Sequence, residues 1–136
     1  TFTLTLKFDI LLPVLLSSLP AVFCIANIML ANNICDVDDD FVNRRYTLPI
    51  QTGKKKALIL FDILYILTFL DIIICVILGY LPAISLITLI SAIKVYKNVR
   101  IFHGLQTKKD TFALSVMNLT IVMVPLIFTL LIAYIT

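Results

Sequence analysis

The chain has few charged side chains. Asp, Glu, Lys and Arg make up only 14% of its 136 residues, whereas soluble domains carry about 25%. With 61% hydrophobic residues and a mean hydropathy of +1.09, the chain has too little polar surface to cover its apolar side chains in water. The composition therefore argues against a soluble domain or a disordered tail. It predicts an all-α integral membrane protein, a helical bundle.

Cysteine and glutamate are also scarce. The three cysteines, Cys24, Cys35 and Cys75, are odd in number and lack the C-x-x-C spacing of metal sites. This argues against a secreted disulfide scaffold and against a zinc site. Glu is absent, so all eight acids are Asp. Eleven Lys and Arg leave a net charge of +3, an excess too small to predict a nucleic-acid partner.

Four apolar stretches are long enough to cross a bilayer, which takes about 20 residues in a helix. We expect residues 1–136 to form part of one membrane domain. The expected spans are about 10–31, 57–78, 81–102 and 112–135, with loops at 32–56 and 103–111. Only Gly79 and Tyr80 join the second and third spans, which predicts a tight hairpin.

The positive charges predict the orientation. Ten of the eleven Lys and Arg lie in the connections 32–56 and 94–110, on the same side of the bundle, and only Lys7 lies opposite. Because positive residues concentrate in cytoplasmic loops, we expect both connections to face the cytoplasm from the plasma membrane. The chain starts at Thr1 rather than Met and soon enters an apolar run, so we expect it to be a piece of a longer protein.

An acidic stretch follows the first span. If the helix continues, Asn32, Asp36 and Asp40 lie four residues apart on one face. Carboxylates there repel each other and lie near the negative end of the helix dipole, which is unfavourable unless a cation is bound. Oxygen ligands without His or Cys favour Mg²⁺ or Ca²⁺ over zinc. The alternative is a solvated acidic loop balanced by nearby lysines.

Cations follow the acids. The acidic stretch is followed by Arg44, Arg45 and the run Lys54–Lys56. This order suits a metal–diphosphate ligand, in which Mg²⁺ bridges carboxylate and phosphate oxygens and the cations neutralise the remaining phosphate charge. We assign the phosphate role to Arg45. The lysine run is better explained as a topology signal at the membrane face.

The acidic motif resembles a known family. The residues that carry the resemblance are Asn32-Asn33-x-x-Asp36-x-x-x-Asp40, then Arg45-x-Thr47-Leu48 and Gly53. This order resembles the second aspartate-rich motif of UbiA-type membrane prenyltransferases, closest to the branch that prenylates 1,4-dihydroxy-2-naphthoate in menaquinone synthesis. Two positions depart from that pattern. Arg44 stands where a Gly often precedes the basic residue, and Gln51 stands where a basic residue is common.

The resemblance implies a nine-helix bundle of which this chain is helices six to nine, with the first aspartate-rich motif in a missing N-terminal half. It implies Mg²⁺, transfer of a prenyl group from a polyprenyl diphosphate to an aromatic acceptor, and no activity for this piece alone. The implied catalytic residues are Asp36 and Asp40, which with Asn32 are also the metal ligands. The diphosphate-binding residues would be Arg45, Lys94 and Lys97, and cavity candidates are Asn33, Asp39, Asp62 and Tyr65.

Several polar residues within the spans have open roles. Asp62 and Asp71 are nine residues apart and point to opposite faces of a straight helix. Asp62 is near enough to the charged loops to reach the site. We expect Asp71 to pair with a polar group on a neighbouring span, either of this chain or of the missing half. Lys94 and Lys97 either lean toward the diphosphate or snorkel, and a lone His103 predicts no metal site. Residues expected to hydrogen-bond between helices are Asn27, Ser85, Thr88, Ser91 and Asn118.

A different class of function fits the same composition. The same composition also suits a non-enzymatic membrane protein, such as a transporter segment or a divalent-cation-binding module. The feature that separates the two readings is upstream: a second N-x-x-x-D-x-x-x-D on an earlier span would favour the enzyme.

Overall fold

The chain folds into a bundle of helices. A computed structural model describes the backbone of residues 8–135 and the side chains from residue 11. No strand occurs in that range. The α-helices are α1 (Phe8–Cys35), α2 (Val37–Val42), α3 (Leu48–Thr52), α4 (Lys54–Ile77), α5 (Ser91–Gly104) and α6 (Phe112–Ile135). A 3₁₀ helix, Ala83–Ile90, precedes α5. Lys7, the one cation expected on the opposite side, lies outside the described residues.

Among residues 8–135, three helices are long and apolar enough to cross a membrane. They are Leu11–Cys35 within α1, Lys54–Ile77 (α4) and Phe112–Ile135 (α6), with mean hydropathies of 2.1, 2.5 and 2.4. Three of the four predicted spans therefore have suitable helices, and their composition indicates a membrane-embedded protein.

The predicted third span, 81–102, has a different form. It consists of the 3₁₀ helix followed by α5, and the backbone stays helical through the junction at Ile90 and Ser91. Eight residues at about 2.0 Å and fourteen at about 1.5 Å give about 37 Å in total, compared with a hydrocarbon core of about 30 Å. The length is sufficient, but α5 carries Lys94, Lys97 and Arg100. The membrane crossing at 81–102 therefore stays a prediction.

The surface of the bundle is apolar and its interior is partly polar. Long aliphatic side chains such as Leu15, Ile66 and Ile127 are exposed on α1, α4 and α6. Polar side chains are buried among the helices: Asn27, Thr68, Ser85, Thr88, Asn98, Ser115, Asn118 and Thr129. This is the reverse of a water-soluble protein. It fits a bundle in which lipid covers the outside and interhelical hydrogen bonds join the inside.

Interhelical hydrogen bonds confirm the expectation for three of the five polar residues. The amide of Asn27 donates to the Phe61 carbonyl oxygen over 3.1 Å, and Ser85 bonds Thr129 over 3.1 Å. Asn118 accepts from Asn98 over 2.7 Å.

Asn118 also donates to the Tyr65 hydroxyl over 3.1 Å, which joins α4, α5 and α6. Ser91 differs from the expectation, because it donates to the Thr88 carbonyl one turn earlier on its own segment. The Thr88 hydroxyl is buried and has no hydrogen-bond partner among the described residues.

The predicted hairpin turn begins with a helix cap that needs glycine. At the end of α4, Gly79 has a φ of 76°, in the left-handed region. Its N–H donates to Val76 O over 3.1 Å, and the N–H of Tyr80 donates to Cys75 O over 2.8 Å. These two bonds form a Schellman motif, which satisfies carbonyls left free at a helix end. The motif ends α4 and directs the chain back toward the 3₁₀ helix.

Helix packing leaves a gap between α4 and α5. α1 lies against α4 and α6, while α5 and the 3₁₀ helix pack mainly on α6. α4 and α5 touch little along their length. Their main aromatic contact is Phe61 stacked on Phe102, with ring centroids 4.8 Å apart. The gap between α4 and α5 is open beyond that contact.

Candidate functional site

The two polar connections meet at one end of the bundle. We call residues 36–56 and 103–111 the charged end. The ammonium of Lys108 lies 2.6 Å from Oδ2 of Asp36, and Nε2 of His103 lies 2.8 Å from Oδ1 of Asp62. Each contact joins residues far apart in the chain. They confirm that the connections after α1 and after α5 share one side, whichever compartment that side faces.

The backbone keeps Asn32, Asp36 and Asp40 on one helical face. The N–H of Asp36 donates to Asn32 O over 3.1 Å, and the N–H of Asp40 donates to Asp36 O over 2.8 Å. The i to i−4 ladder therefore continues through the turn between α1 and α2. The Asn32 side-chain amide also donates to Oδ2 of Asp36 over 3.2 Å.

We call the face formed by Asn32, Asp36 and Asp40 the acidic face. Its shortest ion pair is made by Lys108, which the sequence did not predict to lie there. Its partner Asp36 is mostly buried, with a side chain 15% exposed. The hydrogen bond to Asp36 raises the pKa of Lys108, and the negative charges of Asp36, Asp39 and Asp40 add to the effect. The one signal in the sequence was a positively charged connection on the same side as the acids.

Asp40 is held by the turn that follows it. It is 5% exposed, and Nη1 of Arg45 lies 3.7 Å from its Oδ1. The N–H of Arg45 also donates to Asp40 O over 2.8 Å. This return of the chain requires Arg44 at a φ of 55°, in the left-handed region. That conformation is unfavourable for most residues other than glycine.

The other acids of the stretch point elsewhere. Asp38 and Asp39 are exposed, whereas Asn33 is half-buried in α1. Within the described residues, no three His, Cys, Asp or Glu side chains converge as a group that could hold a metal ion. The acidic face thus offers two carboxylates and the amide oxygen of Asn32, each carboxylate with one cation against it.

A second cluster lies between α4 and α5. Asp62 and Tyr65, both predicted cavity residues, line a pocket of about 460 Å³. Arg100 and His103 of α5 lie on the opposite wall. Asn33 and Asp39 are not among its lining residues. The His103–Asp62 contact was not anticipated, since the two residues are 41 positions apart.

The lysines of α5 fan around the helix instead of converging. Lys94 lines a groove between α5 and α6 with Thr120 and Pro125, and Lys97 is exposed. Residues three apart on a helix of 3.6 residues per turn shift by about 60° at each step, so Lys94 and Arg100 face different neighbours. Among the described residues, neither Lys94 nor Lys97 forms an ion pair with an acid.

Asp71 has a partner on its own helix. It is 8% exposed, and the thiol of Cys75 lies 3.7 Å from its Oδ2. Within the described residues this contact lies one turn along α4, and a polar partner on a neighbouring span of the missing half stays a prediction.

No family model, no curated protein and no solved structure matches the chain. The proposed function therefore rests on the contacts described above.

Proposed function

We propose that the chain is the C-terminal part of a UbiA-type membrane prenyltransferase. It would transfer a prenyl group from a polyprenyl diphosphate to an aromatic acceptor, 1,4-dihydroxy-2-naphthoate in the branch that it resembles. The observation that carries the proposal is the face formed by Asn32, Asp36 and Asp40 at the membrane end of α1, with Lys108 and Arg45 against its two carboxylates.

The donors on this face suit Mg²⁺ better than a metal that needs a full protein cage. Mg²⁺ binds one or two carboxylates and completes its octahedron with water and substrate phosphates. Asp36 and Asp40 would supply the two carboxylates, and the Asn32 amide oxygen would add a third donor. The bound ion would neutralise charge that develops on the departing diphosphate.

The cations have a second role in this proposal. Lys108 and Arg45 neutralise Asp36 and Asp40 in the protein without substrate. When diphosphate arrives, each exchanges a carboxylate oxygen for a phosphate oxygen, and Arg45 is suited to this by its planar, multiply donating guanidinium. Loss of the diphosphate leaves an allylic cation, which the bundle protects from water. The apolar spans hold the isoprenoid chain.

The turn at Arg44 supports the resemblance from an independent direction. The resembled family often has Gly at this position. In this chain the residue there has a φ of 55°, the conformation that Gly adopts without strain. The Gly that is frequent in the family would suit the left-handed turn of this chain, which brings Arg45 back to Asp40.

The experiment is an assay of the protein with its upstream coding sequence in membrane vesicles. Radiolabelled polyprenyl diphosphate, 1,4-dihydroxy-2-naphthoate and Mg²⁺ should give a lipid-soluble prenylated naphthoate, and EDTA should abolish it. Asp40→Asn should be inactive and exposed Asp38→Asn active. Mn²⁺ binding to the acidic face without any product would favour the cation-binding module instead.

A further inference from the structure

The pocket between α4 and α5 is lined by none of the residues proposed to hold Mg²⁺ or the diphosphate, although its lining includes Asp62 and Tyr65, which were predicted cavity residues. It holds about 460 Å³, within the range of sites for small organic ligands. We propose that this pocket binds one long-chain carboxylic acid from the bilayer. Arg100 holds the carboxylate, and the apolar walls of the two helices hold the chain.

The pocket is polar at one end and apolar along the rest. α4 begins at the charged end and α5 finishes there, so the two helices run in opposite directions. Asp62, Arg100 and His103 line the pocket near the charged end, and Phe69 and Ala92 line it deeper. Ala92 and His103 are eleven residues apart on the same helix, about 16 Å. A chain with one polar end matches this pattern.

The wall of the pocket suits a hydrocarbon chain. Its deeper lining is aliphatic and aromatic: Ile66, Phe69, Val95, Tyr96 and Val99. Ile66 and Tyr96 are largely exposed on the outside of the described bundle, so the pocket is open sideways to an entering chain. The contact area is of the kind that binds a chain by apolar burial.

The charge at the mouth selects the head group. His103 and Asp62 are paired over 2.8 Å, while Arg100 has no acidic partner within the described residues. Arg100 is exposed and lines the pocket, so its guanidinium is available to an anion that enters there. A carboxylate fits it through two parallel hydrogen bonds.

Asp62 disfavours ligands of higher charge. One guanidinium neutralises one negative charge, and a phosphate or diphosphate would place extra charge near the Asp62 carboxylate. The volume also favours one chain, because the two chains of a phospholipid exceed a pocket of about 460 Å³. These two limits leave a monocarboxylic acid with a single chain as the ligand.

The test uses palmitic acid that carries a photoactivatable diazirine in its chain. The protein in nanodiscs is labelled with increasing probe, and the labelled peptides are mapped by mass spectrometry. We expect saturable labelling within residues 62–69 and 92–103. Arg100→Gln should raise the half-saturating concentration about tenfold, the usual effect of losing one charge-assisted hydrogen bond. Lys55→Gln is the matched control, since Lys55 is an exposed cation of α4 outside the pocket.

A second variant fills the pocket without touching its charge. Ala92→Phe should reduce labelling of both segments while Arg100 stays in place. The proposal is wrong if labelling spreads evenly over all lipid-facing helices, if Arg100→Gln binds as well as the unaltered protein, or if the matching diazirine alcohol labels the pocket equally. Because the assay contains no diphosphate, acceptor or Mg²⁺, its result is separate from the test of prenyl transfer.

Discussion

The ammonium of Lys108 lies 2.6 Å from Oδ2 of Asp36, which joins the connection before α6 to the end of α1. One carboxylate thereby links the first and last long helices of the described bundle. The same carboxylate is the centre of the acidic face, since Asn32 also donates to it over 3.2 Å. Release of Lys108 from Asp36 would therefore free both a carboxylate and a cation.

The first prediction concerns the reactivity of Lys108. Its pKa is raised by the hydrogen bond to Asp36, so the ion pair stabilises the fold fully below the ordinary lysine pKa of about 10.4 and is lost as pH rises through the higher folded value. At pH 9 an amine-reactive ester should modify Lys108 several-fold more slowly than exposed Lys109. Asp36→Asn should remove that difference, as measured by mass spectrometry. Equal rates in the unaltered protein would contradict the ion pair.

The second prediction concerns the left-handed turn at Arg44. Arg44→Gly should stabilise the protein by about 1 kcal/mol, because the strain of a side chain at positive φ is relieved, less the entropy that glycine adds to the unfolded chain. Arg44→Ala removes the same charge but keeps the strain, so it is the matched control and should not stabilise. Thermal unfolding in detergent measures both variants. Equal stabilisation by Gly and Ala would point to charge instead of conformation.

The third prediction concerns the buried amide chain. Asn118→Ala leaves Asn98 and the Tyr65 hydroxyl without this partner, and we expect a loss of about 1 kcal/mol. Thr120→Ala, an exposed position of the same helix, should change stability little. The reaction of buried cysteine thiols with a fluorogenic dye during heating gives both unfolding temperatures. No difference between the two variants would show that the chain of hydrogen bonds contributes nothing.

Particular residues show how much of the fold could be predicted from the sequence. The long spans were predictable because apolar runs of about 20 residues have few other uses. The ends were less so: the first span was expected to end at residue 31, but α1 continues to Cys35, since the helical ladder runs on into the acidic stretch. The 3₁₀ form of Ala83–Ile90 has no sequence signal that we can identify.

Contacts between distant residues were beyond the sequence. Asp36 and Asp40 were correctly expected to share a face with Asn32, because that depends on local helical geometry alone. The partners Lys108 and His103 were not foreseen, because pairing with Asp36 and Asp62 depends on how the helices pack. The role of Asn32, Asp36 and Asp40 as metal ligands stays a prediction, and so do the predicted substrate contacts.

The fourth prediction concerns orientation in the plasma membrane. With the native cysteines replaced, single cysteines at positions 45 and 108 should react with an impermeant maleimide from the cytoplasmic side. A cysteine at position 79 should react from outside, because we expect the positive connections to face the cytoplasm and the turn lies at the other end of α4. Reaction of position 79 from the cytoplasmic side, together with positions 45 and 108, would contradict the four-span arrangement.

The most direct measurement of the central claim is prenyl transfer against Mg²⁺ concentration in the longer protein with its upstream sequence, with protein amounts matched. The variants are Asp36→Ala, Asp38→Ala, Asp39→Ala and Asp40→Ala. A metal site on one helical face predicts near-complete loss for Asp36 and Asp40, a small effect for Asp38 and an intermediate one for Asp39, with kcat lowered more than KM for the acceptor is raised. Equal loss in all four variants, or full activity in Asp36→Ala, would contradict it.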